Sequence, residues 1–284
     1  MGLTFVPTPL GNLRDITLRA LDVLRESTLV VAEDTRVTRR LLSAHGIVGK
    51  QLMSYREQNA AAITPAILAR ARNETVAVVT DAGMPGISDP GRELLVAARE
   101  AGVAVDVLPG PVAFVGAAVL SGFSLGGLTF NGFVPRAGGA RRAAFAAALE
   151  TGTTNAWYEA PNRIVTTLDT LAELDPIGAI FVLREWTKRY EQHISGTPTE
   201  VKTALERPVR GEIVLVIGPR TRASRPERTH EDLDLAIDAA LDAGLSVAAA
   251  AKTLARERGT PRTELYARVA ARKHARSGKP PAER

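Results

Sequence analysis

The chain has 284 residues, 45% hydrophobic and 24% charged, a balance that suits a globular protein of about two domains and excludes a disordered or collagen-like chain. With no cysteine it can form no disulfide, thiol nucleophile or cysteine zinc site, and its four histidines (His45, His193, His230, His274) are too dispersed for a local metal pair. The net charge of +5 is uneven: the first 219 residues carry 22 basic and 22 acidic side chains and the remainder 14 against 9, so the C-terminal segment suits either a polyanionic partner or a plainly solvated surface.

From the N-terminus one unit repeats: a short apolar strand, a loop of Gly, Pro or acids, then an amphipathic helix. Leu3 to Val6 runs into PTPLGN, and Asp15 can cap a helix carrying Leu18, Leu21 and Leu24. Leu29 to Asp34 feeds TRVTRRLLSAHG, where Gly46 is a natural helix stop. Val76 to Asp81 enters AGMPGISDPG, and Val103 to Leu108 enters PGPVAF, each before another helix. Strands alternating with helices predict a mostly parallel sheet that binds ligands beyond the C-terminal ends of its strands, where these loops lie.

The stretch SGFSLGGL marks a boundary, giving an N-terminal domain over residues 1–120 and a second over 121–219. The second is also α/β, with strands in LTFNGFV, NAWYEA, AIFVLRE, YEQHIS and EIVLVIG and helices after Gly138, Pro161 and Pro198; its more alternating strands predict a mixed sheet. Residues 220–284 form a basic appendage. The polar linker TRASRPERT precedes three short helical patterns, with Ser246 and Thr260 as caps, and the last two resemble a helix-turn-helix. HARSGKPPAER reads as a disordered tail. No apolar run reaches the roughly 18 residues a spanning helix needs, and MGLTFVPTPL lacks the features of a signal peptide, which predicts a cytoplasmic protein.

There is no G-x-G-x-x-G after the first strand, no P-loop, and no G-x-S-x-G around Ser88, which disfavours dinucleotide, P-loop and serine-hydrolase chemistry. PTPLGN, TDAGMPGISDPG and LPGPVA remain: loops suited to holding a ligand by main-chain groups, with Asp81 available for a hydroxyl or a positive centre. S-adenosyl-L-methionine is such a ligand. Its sulfonium needs no metal or covalent help, only alignment and removal of the acceptor proton. Each loop taken singly could equally be a turn and nothing more.

In chain order, PTPLGNLRDITLRAL, LVVAEDTRVTRRLL, VTDAGMPGISDPG, LPGP, GFVPR, YEAPNRI, LREWTKRYEQHISGT and RGEIVLVIG resemble the ribosomal RNA small subunit methyltransferase I family of the tetrapyrrole-methylase fold class. The likeness runs from Leu3 to about Pro219; EDTR-x-T-x-x-LL, DAGMPGISDPG and RE-x-TK are its specific blocks, and the C-terminal segment resembles an appendage that many members carry. The resemblance implies a two-domain α/β homodimer that methylates a cytidine 2′-hydroxyl (cytidine-1402) in 16S rRNA at the decoding centre, with S-adenosyl-L-methionine folded between the domains. It further implies cofactor contacts at Pro9, Leu10, Asp81, Gly83, Met84, Pro85, Gly110, Val112, Ala113, Tyr158, Glu159, Ala160, Gly211, Glu212 and Ile213. Three departures stand out: Val112 replaces a usual serine, Ala160 and Asn162 in YEAPNR alter the commoner YESPHR, and Trp186 replaces a smaller aliphatic residue and reads as packing.

A ribose hydroxyl must lose its proton as the methyl arrives, which calls for a base. Asp34 is the first candidate, with an ion pair to Arg36 as its structural alternative; Asp15 and Glu57 follow, Asp15 being equally well a helix cap. Arg36, Arg56, Arg136, Arg163, Arg184 and Lys188 would cradle the RNA phosphates of 16S rRNA or the 30S subunit, while Arg39, Arg40, Arg141 and Arg142 suit surface charge. Aromatic residues are only 5%, so a target cytidine would be turned out of its helix, not read on a stacking platform. Two other readings are a methyltransferase of the same fold acting on a tetrapyrrole or protein side chain, and a non-catalytic nucleic-acid binder with a degenerate enzyme domain; the specific blocks and the intact loops weigh against them.

Overall fold

The computed structural model describes residues 1–89, 91–220, 230–258 and 262–277, and the chain divides into two compact units, Met1–Arg220 and Thr221–Arg284. In the first unit strands and helices alternate from the start: β1 (Gly2–Phe5), α1 (Leu18–Glu26), β2 (Leu29–Ala32), α2 (Thr35–Ala44), β3 (Gln51–Ser54), α3 (Ala60–Ala71), β4 (Thr75–Val79), α4 (Gly91–Glu100), β5 (Val105–Val107) and α5 (Ala113–Leu120). The five strands pair in parallel in the order β3-β2-β4-β1-β5. Side chains alternate across a strand. Leu3, Phe5, Leu29, Val31, Val76 and Val78 therefore pack with residues of α3 and α4, while Val6, Val30, Ala32, Ala77 and Val79 pack with residues of α1 and α2. Burial on both faces is why these strands read as unbroken apolar runs.

One consequence positions the site. β1 and β4 are neighbours, yet the helices that follow them, α1 and α4, lie on opposite faces, so their outgoing loops diverge and leave a crevice. A two-residue bridge pins those loops together at the crevice: the Thr8 amide donates to the Gly83 carbonyl at 2.9 Å and the Gly83 amide to the Thr8 carbonyl at 3.0 Å.

The second sheet uses β6 (Leu128–Phe133), β7 (Thr154–Glu159), β8 (Ile180–Arg184), β9 (Gln192–Gly196) and β10 (Ile213–Ile217), with α6 (Gly138–Glu150), α7 (Ile164–Leu174) and α8 (Pro198–Ala204) between them. Its order is β6-β7-β10-β8-β9; β6 and β7 run parallel and the other neighbours antiparallel, the mixed sheet that the strand patterns predict. Phe145, Leu168, Leu171 and Val201 from α6, α7 and α8 fill one face. The other face receives α5 through Ala113, Phe114 and Ala117. Since α5 leaves the last loop of the first sheet and packs on the second, it draws the two sets of loops together.

Two local expectations change. Asp15 does not cap α1; it ends a short 3-10 turn, Leu13–Asp15, and the hydroxyl of Thr17 accepts the Ala20 amide at 3.1 Å instead. The cap must directly precede the first helical residue, and helix α1 begins at Leu18, whose side chain faces solvent while Ala20 and Leu24 are buried. The last strand of the first sheet shortens to three residues and sits at an edge, where short strands resist unwanted pairing.

The second unit is a helical cluster of α9 (His230–Asp242), α10 (Val247–Arg258) and α11 (Arg262–Ser277) around Ile237, Ala250, Ala251, Leu254, Leu265 and Val269. The Ser246 hydroxyl accepts the Ala249 amide at the start of α10, as expected of a cap; Thr260, the linker 221–229 and most of the tail (278–284) lie outside the described residues. Arg268, Arg272 and Arg276 of α11 face Asp234, Asp238 and Asp242 of α9, pairing at 3.1, 2.7 and 2.5 Å. Much of the basic stripe is thus matched within its own unit. Among the described residues no helix is long and apolar enough to cross a membrane.

Candidate active site

The loops at the C-terminal ends of β1, β2, β4 and β5 and the nearby strand ends of the second sheet enclose a cleft of about 430 Å³, within the size range of small-molecule sites. Its walls mix the small residues Gly83, Ala113, Ala160 and Gly211 and Val112 with apolar surface from Leu10, Met84, Ile87 and Trp186. Four carboxyls also line it: Glu33, Asp89, Glu159 and Glu212.

On the first-sheet side an acidic cluster is held by short hydrogen bonds. The Thr80 hydroxyl donates to Glu33 Oε2 at 2.7 Å, and the Asp34 amide donates to Asp81 Oδ1 at 3.0 Å. Burial, augmented by the charges of Glu33 and Asp34, raises the Asp81 carboxyl above its ordinary value. Burial also pushes Asp89 up, to about 6, with Glu33 adding repulsion. Asp34 behaves oppositely. It caps α2, accepting the Arg36 amide at 2.8 Å, and its carboxylate grips the Arg36 guanidinium at 2.6 Å, with Arg56 at 3.6 Å; the Arg36 hydrogen bonds hold it well below the carboxylate range.

On the second-sheet side the RE-x-TK segment forms a strained loop. Glu185 and Thr187 both adopt positive φ, 51° and 64°, a conformation that side chains resist. What holds it is a set of specific bonds. The Glu185 carboxylate accepts the Glu212 amide at 2.9 Å and the Lys188 ammonium at 2.9 Å, and Lys188 also binds Glu212 at 2.6 Å. Burial pushes Glu185 up, but Lys188 and the Glu212 amide outweigh it and leave the carboxyl below its usual range. Gly211 is required here: its φ is +88°, and a Cβ would stand 2.2 Å from Cδ of Glu185. The same loop reaches across to the first sheet, where the Asn12 amide donates to the Thr187 hydroxyl at 3.1 Å. Between these contacts Trp186 turns its indole onto α5. It packs, as the sequence suggests, and it also walls the cleft.

Glu159, at the end of β7, is fully enclosed, binding Arg163 at 2.5 Å, Thr167 at 2.5 Å and the Ala160 amide at 2.7 Å. Burial pushes the Tyr158 hydroxyl up to about 12, which keeps it neutral.

Of the residues expected to contact a cofactor, Leu10, Gly83, Met84, Val112, Ala113, Tyr158, Glu159, Ala160, Gly211, Glu212 and Ile213 line the cleft, whereas Pro9, Asp81, Pro85 and Gly110 do not. None of the three proposed bases lines it: Asp34 is bound to Arg36, and Asp15 and Glu57 are exposed on loops. Among the basic residues, Arg36, Arg56 and Arg136 are exposed. Arg163 is engaged by Glu159 and Lys188 by two carboxylates. Arg184 corrects the expectation for it: it is only 7% exposed, and its guanidinium donates to the Arg210 carbonyl and to Gln192, both at 2.7 Å, leaving no face for a phosphate. Glu33, Ser88, Asp89, Phe133 and Trp186 were not singled out as site residues, although each stands inside or beside a motif that was.

The model of the tetrapyrrole (corrin/porphyrin) methylases matches residues 2–202. Ribosomal RNA small subunit methyltransferase I of Neisseria meningitidis serogroup B is 41% identical over 271 residues, 93% of this chain and 91% of the relative. The chain belongs to the tetrapyrrole methylases and, within them, to the ribosomal RNA small subunit methyltransferase I family. Its fold matches diphthine synthase with a TM-score of 0.63 at 14% identity, covering 78% of this chain and 92% of that one. It also matches uroporphyrin-III C-methyltransferase from Thermus thermophilus, solved in complex with S-adenosyl homocysteine, with a TM-score of 0.54 at 22% identity over 77% and 97% of the two chains.

Proposed function

We propose that the protein uses S-adenosyl-L-methionine to methylate the ribose 2′-hydroxyl of a cytidine in 16S rRNA, at the decoding centre of the 30S subunit. The observation that carries this reading is the composition of the cleft. Main-chain groups at Val112 and Gly211 suit the hydrogen-bonding edges of a nucleoside amino acid; Leu10, Met84, Ile87 and Trp186 suit its apolar parts; Glu33 suits its positive charge. When bound, the donor supplies a methyl group on a positively charged sulfur. The chain's own task is then to hold donor and acceptor in line and to keep water out, and the Asn12–Thr187 hydrogen bond between the PTPLGN and RE-x-TK loops ties the two walls for that purpose. The name of the Neisseria relative supports an rRNA acceptor. Arg36, Arg56 and Arg136 are exposed and suit phosphates, Arg36 and Arg56 through the guanidinium edges that Asp34 does not hold, so binding should weaken steeply with salt.

A homodimer is part of the same reading. On α5, Val115 and Val119 stand one turn apart and are 44% and 62% exposed, an apolar stripe suited to a second copy. Sedimentation of Val119→Asp should show a monomer.

The decisive experiment transfers labelled methyl from S-adenosyl-L-methionine to 30S particles lacking the modification and maps the labelled nucleotide. Label on a cytidine ribose is the expected result; label on a base, or on protein, overturns the acceptor assignment.

A further inference from the structure

We infer that Asp89 is the carboxyl that accepts the proton of the acceptor hydroxyl, an assignment that rests on the methyl-transfer reading above. Of the four carboxyls lining the cleft, three are already held. Glu159 is bound by Arg163, Thr167 and the Ala160 amide, Glu212 by Lys188, and Glu33 by the Thr80 hydroxyl at 2.7 Å and the Asp81 amide at 3.4 Å. Among the described residues no cation or backbone amide acts on Asp89. Its side-chain hydrogen bond is with the Thr80 hydroxyl, which steadies the charged form, but burial outweighs that bond and favours the protonated acid once formed.

The loop geometry also places this residue. Ser88, directly before it, has φ +66°, and the chain closes so tightly behind it that a Cβ on Gly91 would stand 3.0 Å from the Gly86 nitrogen. Strain of this kind persists where the surroundings impose it and gathers at working sites. The groups that bear on Asp89 from the packed elements are Glu33 at the end of β2, Thr80 and Asp81 at the end of β4, and Tyr158 on β7, which is neutral. Both charged neighbours are acids and raise its proton affinity, in the same direction as burial.

The step balances. The hydroxyl oxygen forms the new O–C bond, the electrons of the C–S bond pass to sulfur and cancel its positive charge, and the hydroxyl proton moves to the Asp89 carboxylate and from there to solvent.

The test is single-turnover methyl transfer to unmodified 30S particles at saturating donor, with donor affinity measured by calorimetry. Asp89→Asn should lower the rate on the order of 100-fold while donor affinity stays within about threefold. In the wild type the rate should fall tenfold per pH unit below about 6, and Glu33→Gln, which removes the nearest like charge, should move that limb to lower pH. A wild-type profile flat from pH 5 to 8 overturns the assignment without recourse to any variant. So does an Asp89→Asn protein that keeps its saturated rate, including one that loses only donor affinity. Wild type run in parallel separates the two claims: if it labels no RNA the functional reading fails too, whereas fast labelling by both proteins removes Asp89 alone.

Discussion

The indole of Trp186 packs against Gly116, so close that a Cβ built on the glycine would stand 2.0 Å from Cη2 of the ring. This contact joins the strained RE-x-TK loop to α5, the helix that links the two sheets, and it fixes one wall of the cleft. Gly116→Ala must push the ring away. Overpacking of this kind costs about 1–3 kcal/mol, and the displaced ring would enter the donor's space. We expect a lower Tm together with at least tenfold weaker donor binding by calorimetry. Unchanged affinity would show that Trp186 is a packing residue and no part of the binding wall.

Asp34 was the first candidate for a base, and its partners argue for a different task. A carboxylate chelated by Arg36 and held far below the usual range is a weak proton acceptor, but it caps α2 and fixes the EDTR loop. Because its folded-state value is depressed, its stabilisation is present above the ordinary carboxylate range and is lost as pH falls. Asp34→Asn should therefore lower Tm at pH 7, with the difference shrinking toward pH 3, while the saturated single-turnover rate stays within about fivefold of wild type. A rate loss of several hundredfold would return the proton to Asp34.

Asp89 should leave the opposite mark on stability. Burial raises its folded value to about 6 from an ordinary 3.8, so between those pH values the folded protein binds more protons than the unfolded chain, and stability falls as pH rises through that window. Asp89→Asn removes the cost. Thermal scans should show the variant matching wild type near pH 4 and exceeding it above pH 6; a variant less stable at pH 7.5 would mean that the carboxylate is held by bonds the structure does not contain.

The helical appendage should be separable from the cofactor site. The first 220 residues form a compact unit containing every cleft residue. A chain ending at Arg220 should bind S-adenosyl-L-methionine within about twofold of the full protein. Much of the appendage's basic stripe is already matched by Asp234, Asp238 and Asp242. Its removal should therefore cost little RNA affinity and leave a salt dependence set by the arginines of the first unit. Loss of donor binding on truncation would show that the appendage completes the cleft.

Much of this architecture is legible in the residues taken in order. Apolar runs of four to six with Gly, Pro and acids at their ends give the parallel sheet, because burial on both faces leaves no polar alternation, and the alternating edge strand β9 marks the mixed one. The motifs DAGMPGISDPG, YEAPNR and RE-x-TK mark loops that do line the cleft. Less legible is what each side chain does there. Arg184 stands in one of the specific blocks, and only the fold shows it buried and bonded to the Arg210 carbonyl and Gln192. Arg268, Arg272 and Arg276 raise the net charge on paper, and only the packing of α11 on α9 shows that charge met by three aspartates.

The sequence by itself therefore determined the elements, the kind of sheet each half builds and which loops border the cleft, because periodicity, caps and turn residues act between near neighbours in the chain. Only the tertiary structure decided which carboxyls line the cleft and which are tied up beside it, and that Trp186 closes a wall. Those outcomes rest on hydrogen bonds and contacts such as Asn12 to Thr187 and Gly116 to Trp186, between groups that the chain brings together only after both sheets have formed.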